Sequence, residues 1–139
     1  MNLFRIHIRP HGGNADMGLT FKYCLEKGIL GIGWRTDSNN CTKDWDEYYR
    51  EASEKYGYDP TICKYIYENV RRKDLVWTRD PFGEYYLASV ISGWEYWVTD
   101  ESKEKDIDIA NIFRCKIQKV NIDAVPGKII ACFRASRSI

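Results

Sequence analysis

Three of the five tryptophans fall in a single short stretch, Asp74-Leu-Val-Trp-Thr-Arg-Asp-Pro-Phe-Gly-Glu-Tyr-Tyr-Leu-Ala-Ser-Val90 followed by Gly93-Trp-Glu-Tyr-Trp97. This stretch reads as short strands joined by turns. Strands send successive side chains to opposite faces, so Trp77 points away from Val76 and Thr78, while Trp94 and Tyr96 share a face opposite Glu95 and Trp97. One core cannot absorb all of these rings. Some are therefore expected at the mouth of a barrel or in an open groove, where a flat ligand such as a nucleobase can be sandwiched.

The rest of the chain supplies the frame. Phe4, Ile6 and Ile8 alternate with Arg5, His7 and Arg9, the period of a half-buried strand. Met17, Phe21, Cys24 and Leu25 have helical spacing, and Gly28 follows as a stop before the strand Ile29–Trp34. Trp45, Tyr48, Tyr49, Ala52 and Tyr56 form a second helical stripe ending near Gly57, and a third helix opens at Asp59-Pro60 with Ile62, Tyr65, Ile66 and Val70 as its expected buried face. Both stripes read as core. Leu75–Thr78 and Tyr85–Ile91 are joined by Asp80-Pro-Phe-Gly83, a turn in which proline presets one dihedral and glycine takes the positive one. Trp94–Val98 is expected as a strand, Asp100–Asp108 as a charged loop and Phe113–Val120 as another strand. The tail Val125–Phe133 can add an edge strand or a short helix. The expectation is an α+β fold, a small barrel of about six strands with about three flanking helices.

At 139 residues the chain reads as one domain spanning 1–139, compatible with the first domain of a larger protein. No apolar run approaches the roughly 20 residues that span a bilayer, and the first residues lack the pattern of a secretion signal, so a cytoplasmic, membrane-free protein is expected. The five cysteines are odd in number, scattered and never spaced Cys-x-x-Cys, which favours reduced thiols over a disulfide framework or a zinc site. Cys24, Cys115 and Cys132 are expected as small core residues. A formal charge of +1 excludes a protein that grips long duplexes by charge alone, so any nucleic-acid contact must be local. His7 and His11 lack a carboxylate partner, a serine elbow or metal-ligand spacing, and Gly31-x-Gly33 lacks the lysine of a phosphate loop. Asp44, Asp46, Glu47 and Glu51 read as a solvated helix face with Lys43, Arg50 and Lys55 as neighbours. No catalytic residue, metal or cofactor is called for.

Four elements occur in a telling order: Arg9 before a glycine-rich loop, Gly31-Ile-Gly-Trp34 closing a strand, Asp74-Leu-Val opening the next, and Val125-Pro-Gly-Lys128 near the end. In this the chain resembles the EVE-like branch of the PUA superfamily over nearly its whole length. The resemblance implies a compact pseudo-barrel related to YTH and ASCH domains that reads one modified or unusual base in an aromatic pocket. Such domains often stand at the amino end of bacterial restriction or other phage-defence proteins, where they act as sensors for an effector domain or protein. Carried over residue by residue, Trp34 matches the tryptophan of the Gly-x-Gly-Trp element, Trp77, Trp94 and Tyr96 lie in the strands that wall the pocket, and Arg9 and Asn14 sit at its rim. The segment Thr36–Lys73 departs from the family as a long helical insertion.

The expected function is thus non-catalytic capture of a modified base, flipped or single-stranded, with DNA favoured over RNA as the partner. Base contacts are expected from Trp34, Trp77, Trp94, Tyr96 and Asn14, and phosphate contacts from Arg9, Arg35 and Arg79. Stacking contributes roughly 1 to 3 kcal/mol per ring, whereas one methyl mark adds only ~0.8 kcal/mol, so selectivity has to come from hydrogen bonds to the base edge. The alternative is an interaction or regulatory domain whose aromatic groove takes a peptide or a small nucleotide.

Overall fold

The computed structural model describes residues 1–10, 16–37, 43–134 and 138–139. Six strands, β1 (Leu3–Ile6), β2 (Ile29–Ile32), β3 (Leu75–Arg79), β4 (Tyr85–Val90), β5 (Glu95–Tyr96) and β6 (Asn111–Val120), form one sheet in the order β1-β3-β4-β6-β2, with β5 also on β6. β1 lies parallel to β3, and the other pairs are antiparallel. The length of β6 decides the shape. Its second half pairs with β4, from Cys115↔Val90 to Val120↔Tyr85, while its first half is held between β2 and β5, with Asn111 opposite both Ile32 and Tyr96. A single strand serving three partners carries the sheet's twist around, and the sheet curls into a half-barrel. Beyond β1, Arg9 makes an isolated parallel bridge with Ile32, and the Gly33 amide donates to the Arg9 carbonyl at 2.7 Å.

Local signals account for the helices. In α1 (Met17–Lys27) the Asp16 carboxylate accepts from Leu19 N, and Gly28 closes the helix at φ 67. In α2 (Trp45–Tyr56) Asp44 accepts from Glu47 N, and Gly57 takes φ 77. These are side-chain caps followed by left-handed glycines. The third helix, α3 (Thr61–Asn69), starts after Pro60 and buries Cys63 and Ile66, with Val70 just beyond its end. Tyr65, expected on that face, is exposed instead. The hairpin between β3 and β4 follows the turn chemistry: Asp80 Oδ1 accepts from both Phe82 N and Glu84 N at 2.9 Å, and Gly83 has φ 91.

Two helices exceed the expected number. The charged stretch after β5 forms α4 (Asp100–Glu104), nucleated by a capping box in which Thr99 and Ser102 satisfy each other's backbone amides. The tail forms a 3-10 turn, Ile122–Ala124, and then α5 (Gly127–Cys132), a helix rather than an edge strand. The strand expected over Trp94–Val98 is paired only at Glu95 and Tyr96. Cys132, expected in the core, is exposed, and Cys63 is buried in its place.

The buried apolar side chains form two clusters, not one. The larger cluster gathers Ile6, Leu30, Val76, Ala88, Ile112 and Phe113 beneath α1, α2 and α3 residues. A smaller one holds Trp77, Tyr85, Val125 and Phe133. Alternation along β3 explains the split, since Val76 belongs to the first cluster and its neighbour Trp77 to the second. Trp77 is 7% exposed and packs in this second core, while Trp94 packs against the first.

Gly31 marks the closest approach in the sheet. A methyl group there would lie 2.1 Å from the Asn111 carbonyl oxygen on β6. Gly31→Ala is expected to destabilise the fold by about 3 kcal/mol, because backbone on both strands must move. Equilibrium urea unfolding measures this, and a change within about 0.5 kcal/mol would show that β2 and β6 separate freely.

Candidate aromatic binding pocket

The pocket is organised from below by Asn111, a buried side chain at the start of β6. Its Nδ2 donates to the Gly33 carbonyl and to the Tyr48 hydroxyl, both at 2.8 Å, while its Oδ1 accepts from Trp94 Nε1 at 2.8 Å. The Tyr48 hydroxyl in turn donates to the Trp34 carbonyl at 2.8 Å. One amide thereby orients the Trp94 indole, anchors the first turn of α2 and fixes the chain leaving β2. Burial pushes the Tyr48 phenol far above its ordinary range, so it stays a neutral donor.

Above this network lies an open pocket of about 530 Å³ lined by Lys43, Asp44, Trp45, Tyr67, Trp94, Glu95 and Tyr96. Trp45 and Tyr67 stack on each other, with centroids 4.6 Å apart and planes 7° from parallel. Trp94 stands edge-on to both, at 5.1 Å and 89° from Trp45 and at 6.0 Å and 87° from Tyr67. The stacked pair leaves no slot between its rings, so a flat guest has to use their outer surfaces or the corner they make with Trp94. All three rings are partly exposed. Trp45 was expected to be core, and Tyr67 lies outside the buried stripe of α3; the two rings come from α2 and α3. A tryptophan at the first turn of a helix, beside its acidic cap, is the signal that could have revealed Trp45.

Of the expected base-binding residues, the structure brings Trp94 and Tyr96 to this pocket. Tyr96, however, is almost fully buried, its hydroxyl accepts from Thr36 N at 3.1 Å, and the Lys43 ammonium lies 4.3 Å from its ring centroid. That face of Tyr96 is already taken by a cation, leaving the ring as wall. Trp34 is elsewhere, edge-packed on Tyr56 at 4.9 Å and Tyr58 at 5.3 Å, with a left-handed φ of 68. Arg35 lies 3.5 Å from Asp106 through Nη2, and its amide donates to Asp108 at 3.1 Å, away from the pocket. Arg9 and Arg79 meet in a different cleft, with His7, Phe21 and Asp80. Asn14 and His11 lie outside the described residues.

Lys43 supplies the pocket's buried charge. Its ammonium is enclosed, donating to Thr36 Oγ1 at 3.2 Å and to Glu51, whose carboxylate also accepts from the Thr36 hydroxyl at 3.0 Å. Glu51 is therefore a counter-ion and not part of a solvated acidic face. Burial pushes its carboxyl up, but the hydrogen bonds from Lys43 and Thr36 and the charges of Lys43 and Arg50 outweigh this, and the net direction is down. Asp44 caps α2, and Glu95 is held by Arg114 at 2.7 Å. No group of three or more metal-ligating side chains occurs among the described residues.

Cys24, Cys63 and Cys115 are buried thiols and not activated thiolates. Burial holds Cys24, Cys63 and Cys115 at about 12, in Cys24 with help from Cys115. No helix among the described residues is long and apolar enough to cross a membrane. Comparison with protein-family models, with curated proteins and with solved structures finds no match to this chain.

Two outcomes follow from these environments. Because the folded Glu51 carboxyl titrates below its ordinary value of 4.5, its contribution to stability is complete above that value and is lost as pH falls through the lowered one. Unfolding measured from pH 7 to pH 3 should show an acid loss that Glu51→Gln flattens. That variant should also cost about 3 kcal/mol at pH 7, since it strands a buried ammonium; equal pH profiles would remove Glu51 as the counter-ion. In thiol labelling at pH 8 with peptide mapping, Cys132 should react in the folded protein, whereas Cys24, Cys63 and Cys115 should react only after unfolding.

Proposed function

We propose that this chain is a non-catalytic recognition module that captures one planar base of an unpaired or flipped nucleotide at the corner formed by Trp45, Tyr67 and Trp94. The observation that carries this reading is the combination of three partly exposed rings in an open pocket with the Asn111 hydrogen bond that holds Trp94 upright. A guest meeting these preset rings gains roughly 1 to 3 kcal/mol per stacked ring, and little ordering cost is charged to the tryptophan.

The rim adds edge selectivity. Beyond the bonds to the α2 cap and to Arg114, the lone pairs that remain on Asp44 and Glu95 suit the exocyclic amino groups of cytosine, adenine or guanine and not the carbonyl edge of thymine. Such contacts discriminate more than a methyl mark's ~0.8 kcal/mol, so a modification would be read through its shape within an already selected base. Extracting a base from a duplex costs a few kcal/mol, which favours strands already open at the target. In this reading the module reports a modified or exposed base to an effector, as a sensor in a restriction or phage-defence system does, with DNA as the preferred polymer.

A second reading rests on the same rim. Carboxylates beside tryptophan faces also suit a cationic side chain, such as a lysine or methyl-lysine of a protein partner, held by cation–π attraction.

Binding of short single-stranded oligonucleotides, followed by tryptophan fluorescence, separates the two. Trp45→Ala is expected to weaken binding of cytosine- or adenine-containing strands by about tenfold, within the range of one lost stacking contact. Thymine homopolymers should bind more weakly to the parent protein. Unchanged affinity in Trp45→Ala, or binding of a lysine-rich peptide where oligonucleotides give no signal, would reject base capture.

A further inference from the structure

A second cleft, built by different elements, has the chemistry of an anion site. β1 and β3 are parallel neighbours, so the chain leaves both strands at the same end of the sheet. There Arg9, three positions beyond the last residue of β1, and Arg79, the last residue of β3, line one cleft of about 350 Å³ with His7. Its apolar lining is Ile8, Met17, Phe21 and Pro81. Among the described residues Asp80 is the one carboxylate lining it, and its oxygens are directed into its own hairpin: Oδ1 accepts from Phe82 N and Glu84 N at 2.9 Å, and Oδ2 from the Tyr86 hydroxyl at 3.3 Å. Two arginines thus line the cleft beside one carboxylate among the described residues, and the Arg79 guanidinium also lies 5.8 Å from the Tyr85 ring centroid.

We propose that this cleft binds the phosphate group of a nucleotide, with Arg79 and Arg9 as the ligands of its oxygens. Planar guanidinium forks match tetrahedral phosphate through paired, charge-assisted hydrogen bonds, and the strength of such contacts rises against apolar walls. The volume is near the lower end of small-molecule sites, enough for a phosphate with a sugar but not for a long ligand. The site opens beside the first turn of α1, whose positive end favours an anion, although Asp16 already caps it and offsets part of that field. None of its lining residues belongs to the aromatic pocket, so the two sites stand or fall separately. The phosphate can come from a free nucleotide or from the 5′ end of a strand.

Ribose 5-phosphate is a clean probe because it lacks a base for the aromatic pocket. Titrated into the full chain by calorimetry or amide-shift NMR, it should bind saturably, with ribose at least about tenfold weaker. Arg79→Gln, a change at an exposed side chain, should lower the affinity for ribose 5-phosphate about tenfold, whereas Trp45→Ala should leave it unchanged. A 5′-phosphorylated dinucleotide binding more tightly than AMP would assign the phosphate to a strand end, and equal affinities would assign it to a free nucleotide. Equal binding of ribose and ribose 5-phosphate, no saturable binding of the phosphate, or an Arg79→Gln variant with parental affinity would overturn the proposal. Loss of oligonucleotide binding in Trp45→Ala alone bears only on base capture.

Discussion

A buried amide in a strand is tolerable only when its polar atoms are satisfied, and Asn111 meets that condition by tying three otherwise separate pieces together. Its side chain holds the Gly33 carbonyl beyond β2, the Tyr48 hydroxyl on α2 and the Trp94 indole beside β5. Replacing it with an apolar residue would leave a carbonyl and an indole N–H without their buried partner, at a cost of about 1 to 3 kcal/mol each. The pocket therefore inherits its geometry from the sheet. Gly31 completes the arrangement, because only a residue without a side chain lets β2 come close enough to β6 for Asn111 to reach Gly33.

Charge is organised as economically as the hydrogen bonds. The only fully enclosed ammonium described at the pocket, Lys43, has an anionic partner, a hydroxyl and an aromatic face, which together replace much of its hydration. Glu95, also in the lining, has Arg114. With these ion pairs internally balanced, the pocket offers rings and hydrogen-bond acceptors, while Arg9 and Arg79 line the other cleft. Separating a stacking surface from a cationic one suits a ligand that has both a ring and a phosphate, and it fits a chain whose formal charge is only +1.

The parts of this structure that were legible in the sequence are those specified by neighbours along the chain. Asp16 and Gly28 bracket α1, Asp44 and Gly57 bracket α2, and Asp80 with Gly83 makes the hairpin, each through contacts spanning a few residues. Alternation correctly separated Trp77 from Val76, but it cannot say which face of a strand a distant helix will cover; α5 and Phe133 decided that for Trp77. Trp45 and Tyr67 were unreadable for a related reason, since helical periodicity divides residues into inward and outward and both rings lie at the boundary. The parallel pairing of β1 with β3 joins residues some seventy positions apart, as in Leu3↔Leu75, and leaves no local mark. The short helix α4 was hidden by its charge, because a capping box of Thr99 and Ser102 offsets a composition that otherwise reads as loop.

Trp34 holds a backbone conformation that a bulky side chain disfavours, at φ 68. Nearly every L-residue placed there meets that same penalty, of order 1–3 kcal/mol, and glycine alone escapes it. What distinguishes tryptophan from its competitors at this position is then ring packing against Tyr56 and Tyr58 and nothing in the main chain. The position should consequently accept exchange among aromatics more readily than truncation, and its glycine variant would gain a relaxed backbone while surrendering the whole contact.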